Sequence, residues 1–533
     1  MERERKQQEK KRWAIPWVGL LVLLLFGLWH LRDTYAGATG SGDLWLIKDY
    51  MLLLVTVLLL AGLLGWLFSK KKCPLSGLFV LCSLSLGTLY LFVLPPLSAP
   101  DEIRHYISAY QLSNQLMGKA AVDEEGFVYI RKEDDQIDNI DGIAENEGRR
   151  TLGQVLDEES YRIIHETGWG KRTKEGTMLS VQPPVKTTPL AYLPQALGLT
   201  LARLLDGNYL AAAYLGRFFN LLFFVGMVAL AIWVLPFGKE LAFGVGILPM
   251  TLHLAASFSY DGMIVALCFF FASYCLYLAF RKERVSWADI GILAATIAWV
   301  GPCKMVYAVV MGFALLIPLK KFGSKQRWLA MALVVLSVFV LAMLLVNSRV
   351  LASYASGADN YVSWAQEEGY SLQYLLYNPV KYVEMLYRTL LTQGEFYFAS
   401  AFGGYLGNLD AVLNVPFVLI LVFAGILIVM SFLKPEERQE LTFWQKVWIW
   451  VLFLVSAVGV MTAMLISWTP LQANYIHGVQ GRYFLPLLPF VLLTIKSRGL
   501  RLTKNHDRKL LYVLCLGNGY VLLRLFSIVS MRL

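Results

Sequence analysis

The chain has 533 residues, of which 57% are apolar and only 16% charged, against roughly 25% charged in an average soluble protein. No globule of this size could hide that much apolar side chain from water, so a soluble enzyme is excluded and most of the surface must face lipid. The excess of 48 Lys and Arg over 38 Asp and Glu, a net charge of +10, is explained first by basic cytoplasmic loops, and nucleic acid is not expected as a partner.

Residues 1–13 are basic and run straight into an apolar segment with no small-residue cleavage site after it, which reads as an uncleaved helix. Windows of the length that crosses a bilayer, about 17 to 25 apolar residues, fall at 14–32, 48–68, 76–95, 208–235, 240–257, 261–280, 286–300, 304–319, 327–347, 412–433, 444–467, 483–497 and 510–529. The expected fold is therefore an all-α polytopic transmembrane bundle with about 13 spans. The clusters 1–13, Lys70 to Lys72, Arg281 to Arg284, Lys320 to Arg327, Lys434 to Lys446 and Lys496 to Lys509 fall on one side of that alternation. The positive-inside rule makes this side cytoplasmic, together with the N-terminus. The other side receives two large loops, near 96–207 and 348–411, and the stretch 96–189 carries 17 acidic against 11 basic residues. The moderately apolar run 190–205 reads as an interfacial or re-entrant helix, because counting it as a span would move two basic clusters outside. Six cysteines lie in or beside apolar stretches and suggest neither a disulfide framework nor a metal site.

The polar residues that border the spans are the candidates for chemistry. After Pro95 and Pro96 comes Pro100-Asp101-Glu102-Ile103-Arg104-His105, where a helix starting at Asp101 would set Glu102 and His105 on one face. Arg217 and Asn220 fall in the outer half of the fourth span, Tyr260 and Asp261 at the turn before the sixth, Lys304 after the seventh, and His477, Gln480 and Arg482 just before the twelfth. Each type also has a purely structural use: Asp caps helices, and Arg and Lys snorkel to headgroups. The expected orientation nevertheless gathers all of them at one membrane face, and two carboxylates among several cations suit a general base beside a phosphate-bearing substrate. The aromatic loop 348–411 reads mostly as an interfacial belt. The carboxylates between Asp123 and Asp141 read as a solvated acidic loop, and the sequence requires no metal.

Pro100-Asp101-Glu102 with His105, Gly216-Arg217 with Asn220, Ser259-Tyr260-Asp261, Gly403-Gly404-Tyr405-Leu406-Gly407-Asn408-Leu409-Asp410 and Gln480-Gly481-Arg482-Tyr483-Phe484-Leu485-Pro486 occur in that order. Together they resemble the bacterial membrane family called domain of unknown function 2142. The resemblance covers roughly 76–530, so residues 1–75, with two helices, look like an addition ahead of the core domain. That family is grouped with the GT-C membrane glycosyltransferases, some of which bind a divalent metal and some of which do not.

The resemblance implies a GT-C-like bundle and an essential acid in the first extracytoplasmic loop, Asp101 or Glu102, with His105 beside it. Arg217, Lys304, Arg482 and Gln480 become candidates for holding a polyprenyl-phosphate donor, with Asn220, Tyr260, Asp261 and His477 in support. The expected reaction moves a sugar from that lipid to a glycan, lipid or protein acceptor of the cell envelope, on the outer face of the cytoplasmic membrane. The alternatives are a lipid-linked polysaccharide polymerase or ligase, and a flippase of lipid-linked sugars. A flippase should place its essential residues near the midplane and show inverted repeats, and none stands out in the sequence. Asn408 stands where the family's glycine-rich loop carries an aromatic residue, which leaves sugar and acceptor specificity open.

Overall fold

The computed structural model describes residues 2–70, 73–143, 148–356, 361–437 and 440–532. Lys71, Lys72 and Arg438, three cations counted in assigning orientation, lie outside the described residues, as do the side chains of residues 2–16. Helices α1 (Glu2–Ser41), α2 (Trp45–Ser69) and α3 (Leu75–Val93) lead into a folded lobe. The lobe holds α4 (Glu102–Leu116), strand β1 (Tyr129–Arg131), α5 (Glu158–Thr167), strand β2 (Thr177–Leu179) and α6 (Leu193–Leu204). The main bundle follows with α7 (Tyr209–Val234), α8 (Lys239–Gly246), α9 (Pro249–Ala255), α10 (Asp261–Phe280), α11 (Trp287–Cys303) and α12 (Lys325–Ser356). Strands β3 (Tyr361–Val362) and β4 (Glu367–Glu368) precede α13 (Leu372–Tyr377) and α14 (Pro379–Ala401). The chain closes with α15 (Phe417–Met430), α16 (Phe443–Trp468), α17 (Leu488–Leu493) and α18 (Asp507–Met531).

Among the described residues, eight helices are long and apolar enough to cross a membrane: α1 from Trp17, α2, α3, α7, α10, α12 to Ser348, α16 and α18. The other five expected segments are helical but short or broken. The 240–257 segment divides into α8 and α9 because Pro249 disfavours the helical conformation at Leu248, whose ψ is 145°. The 304–319 segment winds as a 3₁₀ helix over Met305–Leu316, which at about 2.0 Å per residue reaches further than an α-helix of equal length. The 412–433 segment forms α15, and 483–497 forms a 3₁₀ turn, Gly481–Leu487, leading into α17. The 190–205 run forms α6, with 12 residues too short to span by itself.

Two stretches expected as loops are more ordered than their composition suggests. Strands β1 and β2 pair antiparallel, Tyr129 opposite Leu179. The acidic stretch from Asp123 to Asp141 is solvated only in part: Glu124, Glu125 and Asp141 are exposed, but Glu133, Asp134 and Asp135 are buried. Arg131 grips Asp134 at 2.6 Å, Arg149 grips Asp135 at 2.8 Å, and Glu133 accepts the amides of Thr173 and Lys174. The carboxylates stay buried because each has a cation or amide donors to meet it. In the second stretch, α14 leaves Val380, Val383, Tyr387, Leu390 and Leu391 exposed, an apolar stripe at helical spacing that suits a membrane interface.

The two ends of the bundle carry different ionic clusters. At one end Glu240 meets Lys434 and Lys496, each at 2.8 Å, Lys496 also meets Glu437 at 2.7 Å, and Asp507 lies 3.3 Å from Lys434. These contacts fasten the starts of α8 and α18 to the segments after α15 and α17. At the other end, Arg162 lies between Glu158 at the start of α5, 3.3 Å away, and Asp43 in the turn between α1 and α2, 3.8 Å away. Burial first, and then the Asp43 carboxyl, push Glu158 up to about 7. Its folded pKa exceeds the unfolded value of about 4.3, so between the two the folded protein keeps a proton that the unfolded chain releases. Stability therefore falls as pH rises through that window. Glu158→Gln is expected to unfold at a higher temperature than the parent above pH 7, with the gap closing near pH 4. Parallel profiles for the two proteins would contradict the raised Glu158 carboxyl.

Candidate functional site

Helix α3 stops at Val93, since Pro95 and Pro96 supply no backbone donors to extend it. The chain turns back through Leu97 and Asp101, both left-handed, with φ of 66° and 57°. For a residue with a side chain that conformation costs on the order of 1–3 kcal/mol and persists only where the surroundings enforce it. Asp101 occupies the N-cap position of α4, yet its side chain accepts no capping hydrogen bond and is exposed. It is also close enough to Arg482 for its charge to act on that guanidinium.

Glu102 borders the same cavity as Asp101, but its carboxylate is turned into the protein. It is 1% exposed, its Oε2 accepts the Ala99 amide at 2.8 Å and its Oε1 the Phe258 amide at 2.7 Å, and Arg217 Nε stands 3.5 Å from Oε1. Burial pushes this carboxyl up from the ordinary range, while the Arg217 charge and the two amides pull it back. Arg217 is fully buried and donates to the carbonyls of Ala256 at 2.7 Å, Leu91 at 3.2 Å and Leu94 at 2.9 Å. Expected as a donor-phosphate ligand, Arg217 instead ties the ends of α3 and α9 to α7, and its enclosure leaves a lipid phosphate no way to reach it.

Asn220, one turn along α7, donates to the carbonyls of Leu254, Ser257 and Ser259, and Gln195 of α6 donates to the Phe258 carbonyl at 3.2 Å. With Glu102 and Arg217 they hold the 254–260 turn, so Asn220 supports the site by fixing the backbone that presents Tyr260 and Asp261.

Asp261, first residue of α10, accepts a hydrogen bond from Lys304 Nζ at 2.7 Å on one oxygen, and Arg482 Nε stands 3.2 Å from the other as an ion pair without hydrogen-bond geometry. The sequence separation of these three is large, and α10, the end of α11 and the 3₁₀ turn at Gly481 bring them together. Lys304 lies over the Tyr483 ring, 4.3 Å from its centre, and 5.2 Å from that of Tyr260. Arg482 is 4% exposed, and neither its Nε nor its Nη1 has a hydrogen-bond partner; nor has the buried Oε1 of Gln480. Two cations share one carboxylate here, so a positive charge remains. Gly481 permits this approach, because a Cβ there would run into the carbonyl of Tyr397 on α14.

His105 does not join Glu102 as their shared helix face suggested. Its Nδ1 is 2.7 Å from the Tyr192 hydroxyl, and its ring meets Tyr260 edge-on at 5.1 Å. Burial lowers it to about 3, against the opposing charge of Asp261, so the imidazole is neutral at physiological pH. His477 stacks on Tyr475 at 4.5 Å and leans on Trp364, within an aromatic group that has no bond to Asp261.

Beside Asp101 opens a polar cavity of about 290 Å³ lined by Asp138, Arg149, Thr151, Gln154, Gln182 and Asn408. Amides, a hydroxyl, carboxyls and a guanidinium on one wall suit a hydroxyl-rich ligand. Of these residues the sequence drew attention to Asn408 alone, through its glycine-rich setting. Tyr192 and Gln195 carried no signal beyond their place in an amphipathic stretch. Among the described residues, no His, Cys, Asp and Glu side chains group as a metal ion would require.

A family model described as predicted membrane protein (DUF2142) matches residues 84–491. The match begins within α3 and ends within α17, leaving α1, α2 and α18 outside it. No curated protein and no solved structure matches the chain.

Proposed function

The chain belongs to the DUF2142 family of predicted membrane proteins, and from that premise we propose that it is a membrane glycosyltransferase of the GT-C type. It moves a sugar from a polyprenyl-phosphate donor to a cell-envelope acceptor at the outer face of the cytoplasmic membrane. The observation that carries this reading is the exposed, left-handed Asp101 at the rim of a hydroxyl-friendly cavity, whose charge reaches Arg482, a guanidinium with Nη1 unfilled that shares Asp261 with Lys304.

In this reading an acceptor hydroxyl in the cavity attacks the anomeric carbon, and the bond from that carbon to the lipid-phosphate oxygen breaks. Asp101 takes the hydroxyl proton. The negative charge that develops on the departing phosphate is met by Arg482 and Lys304, which Asp261 keeps in place when no donor is bound. Tyr260, His105 and Tyr192 wall this region with neutral, hydrogen-bonding rings, and Gln480 offers its amide to the donor.

The test is sugar transfer by the purified protein from polyprenyl-phosphate sugars, with release of one lipid phosphate per sugar moved. Arg482→Gln is expected to raise the donor KM roughly tenfold or more, the scale of a lost charged hydrogen bond, with little change in the acceptor KM. A donor KM equal to the parent's would remove the phosphate role. Movement of lipid-linked sugar across vesicles without release of lipid phosphate would replace transfer by flipping.

A further inference from the structure

Away from Asp101, helices α1, α15 and α18 enclose an apolar groove of about 610 Å³, lined among others by Val22, Phe26, Val418, Val422, Leu516 and Tyr520. A second cavity, about 540 Å³, shares Pro416 and Tyr520 with it and is lined by His30, Asp33, Arg524, Ser527 and Arg532. The two shared residues make one continuous path, apolar along the helices and polar where α1 and α18 near their C-terminal ends. Two of its three walls, α1 and α18, lie outside the matched span 84–491.

The charges at its polar end are unequal. Asp33 is paired with Arg32 at 2.9 Å, and Arg532 with Asp410. Arg524 donates to the side-chain oxygen of Asn414 at 3.3 Å, and among the described residues it has no ion pair with a carboxylate. One unneutralised guanidinium thus stands where an apolar channel for a hydrocarbon chain ends. A lipid tail gains little by exchanging bilayer for groove, since both are equally apolar. Selectivity must come from the head, and a spare arginine at the boundary selects a negative one.

We propose that this path holds a bilayer phospholipid with a net-anionic headgroup, its acyl chain between α1, α15 and α18 and its phosphate on Arg524. The site is separate from the transfer chemistry and does not depend on it. Its head end is continuous with the 403–414 loop, which lines the path with Val412, holds Arg524 and Arg532 through Asn414 and Asp410, and supplies Asn408 to the cavity beside Asp101. A bound lipid therefore braces the loop that lines that cavity.

The experiment uses the full chain purified in mild detergent, read by native mass spectrometry and by thermal unfolding on titration with phosphatidylglycerol or phosphatidylcholine. About one phosphatidylglycerol per chain is expected to be retained, and to raise the unfolding temperature more than phosphatidylcholine does. Arg524→Gln is expected to weaken phosphatidylglycerol binding about tenfold, with Arg524→Lys keeping most of it. Val422→Trp, which fills the groove and spares the charge, is expected to lose retained lipid. Equal binding of both phospholipids, unchanged binding by Arg524→Gln, or preferential retention of polyprenyl phosphate over phosphatidylglycerol would each overturn the assignment.

Discussion

Replacing Arg217 by Met with Glu102 left in place is expected to lower stability by about 3–5 kcal/mol, the cost of stranding one member of a buried ion pair. Both side chains are sealed from solvent, and the guanidinium also satisfies three carbonyls at the ends of α3 and α9. The loss therefore combines an uncompensated carboxylate with unpaired backbone oxygens. Changing both residues, Glu102→Gln with Arg217→Met, removes the stranded charge and is expected to recover part of the loss, because Gln still offers an oxygen to one of the amides of Ala99 and Phe258. Unfolding midpoints in detergent measure this. A double variant no more stable than the Arg217→Met single variant would show that the pair is not the unit described.

Asp101→Asn is expected to reduce sugar transfer by about 10²–10⁴-fold, the usual contribution of a general base, while leaving the unfolding temperature near that of the parent. The side chain is exposed and makes no capping bond, so replacing an oxygen by an amide nitrogen removes proton acceptance and little else. The residue's left-handed backbone also bears the change well, since Asn enters that conformation more readily than most side chains. Full activity in the Asn variant would leave the site without its base.

The sequence revealed the membrane character and most of the helical segments, because apolar windows and proline boundaries are local properties. It placed Asp101 at a helix start and kept α6 off the list of spans on charge grounds. It could not separate Asp101 from Glu102. Neighbours on a helix point about 100° apart, and what decides their fates is the Phe258 amide and Arg217, more than a hundred residues further on. The same holds for the arginines: Arg217 and Arg482 look alike in sequence, but one is consumed by carbonyls and the other keeps a nitrogen unpartnered.

Part of the acidic stretch before Asp141 misled because composition reports charge and not pairing; Arg131 and Arg149 bury Asp134 and Asp135 within what looked like a solvated loop. The polar cavity was invisible for a related reason, being assembled from side chains around 101, 138, 150, 182 and 408. The helix α14 could have been found, since Val380, Val383, Tyr387 and Leu390 keep a helical period beneath the aromatic residues that dominate that stretch.

In the proposed reaction Asp101, and not its neighbour, takes a proton during transfer from a lipid-phosphate sugar. The most direct measurement is the rate of sugar transfer per folded molecule for the parent, Asp101→Asn and Glu102→Gln, with folded protein counted by its unfolding transition. Transfer is expected to be lost in Asp101→Asn and, per folded molecule, largely kept in Glu102→Gln. Transfer kept in Asp101→Asn and lost in Glu102→Gln would contradict that role of Asp101.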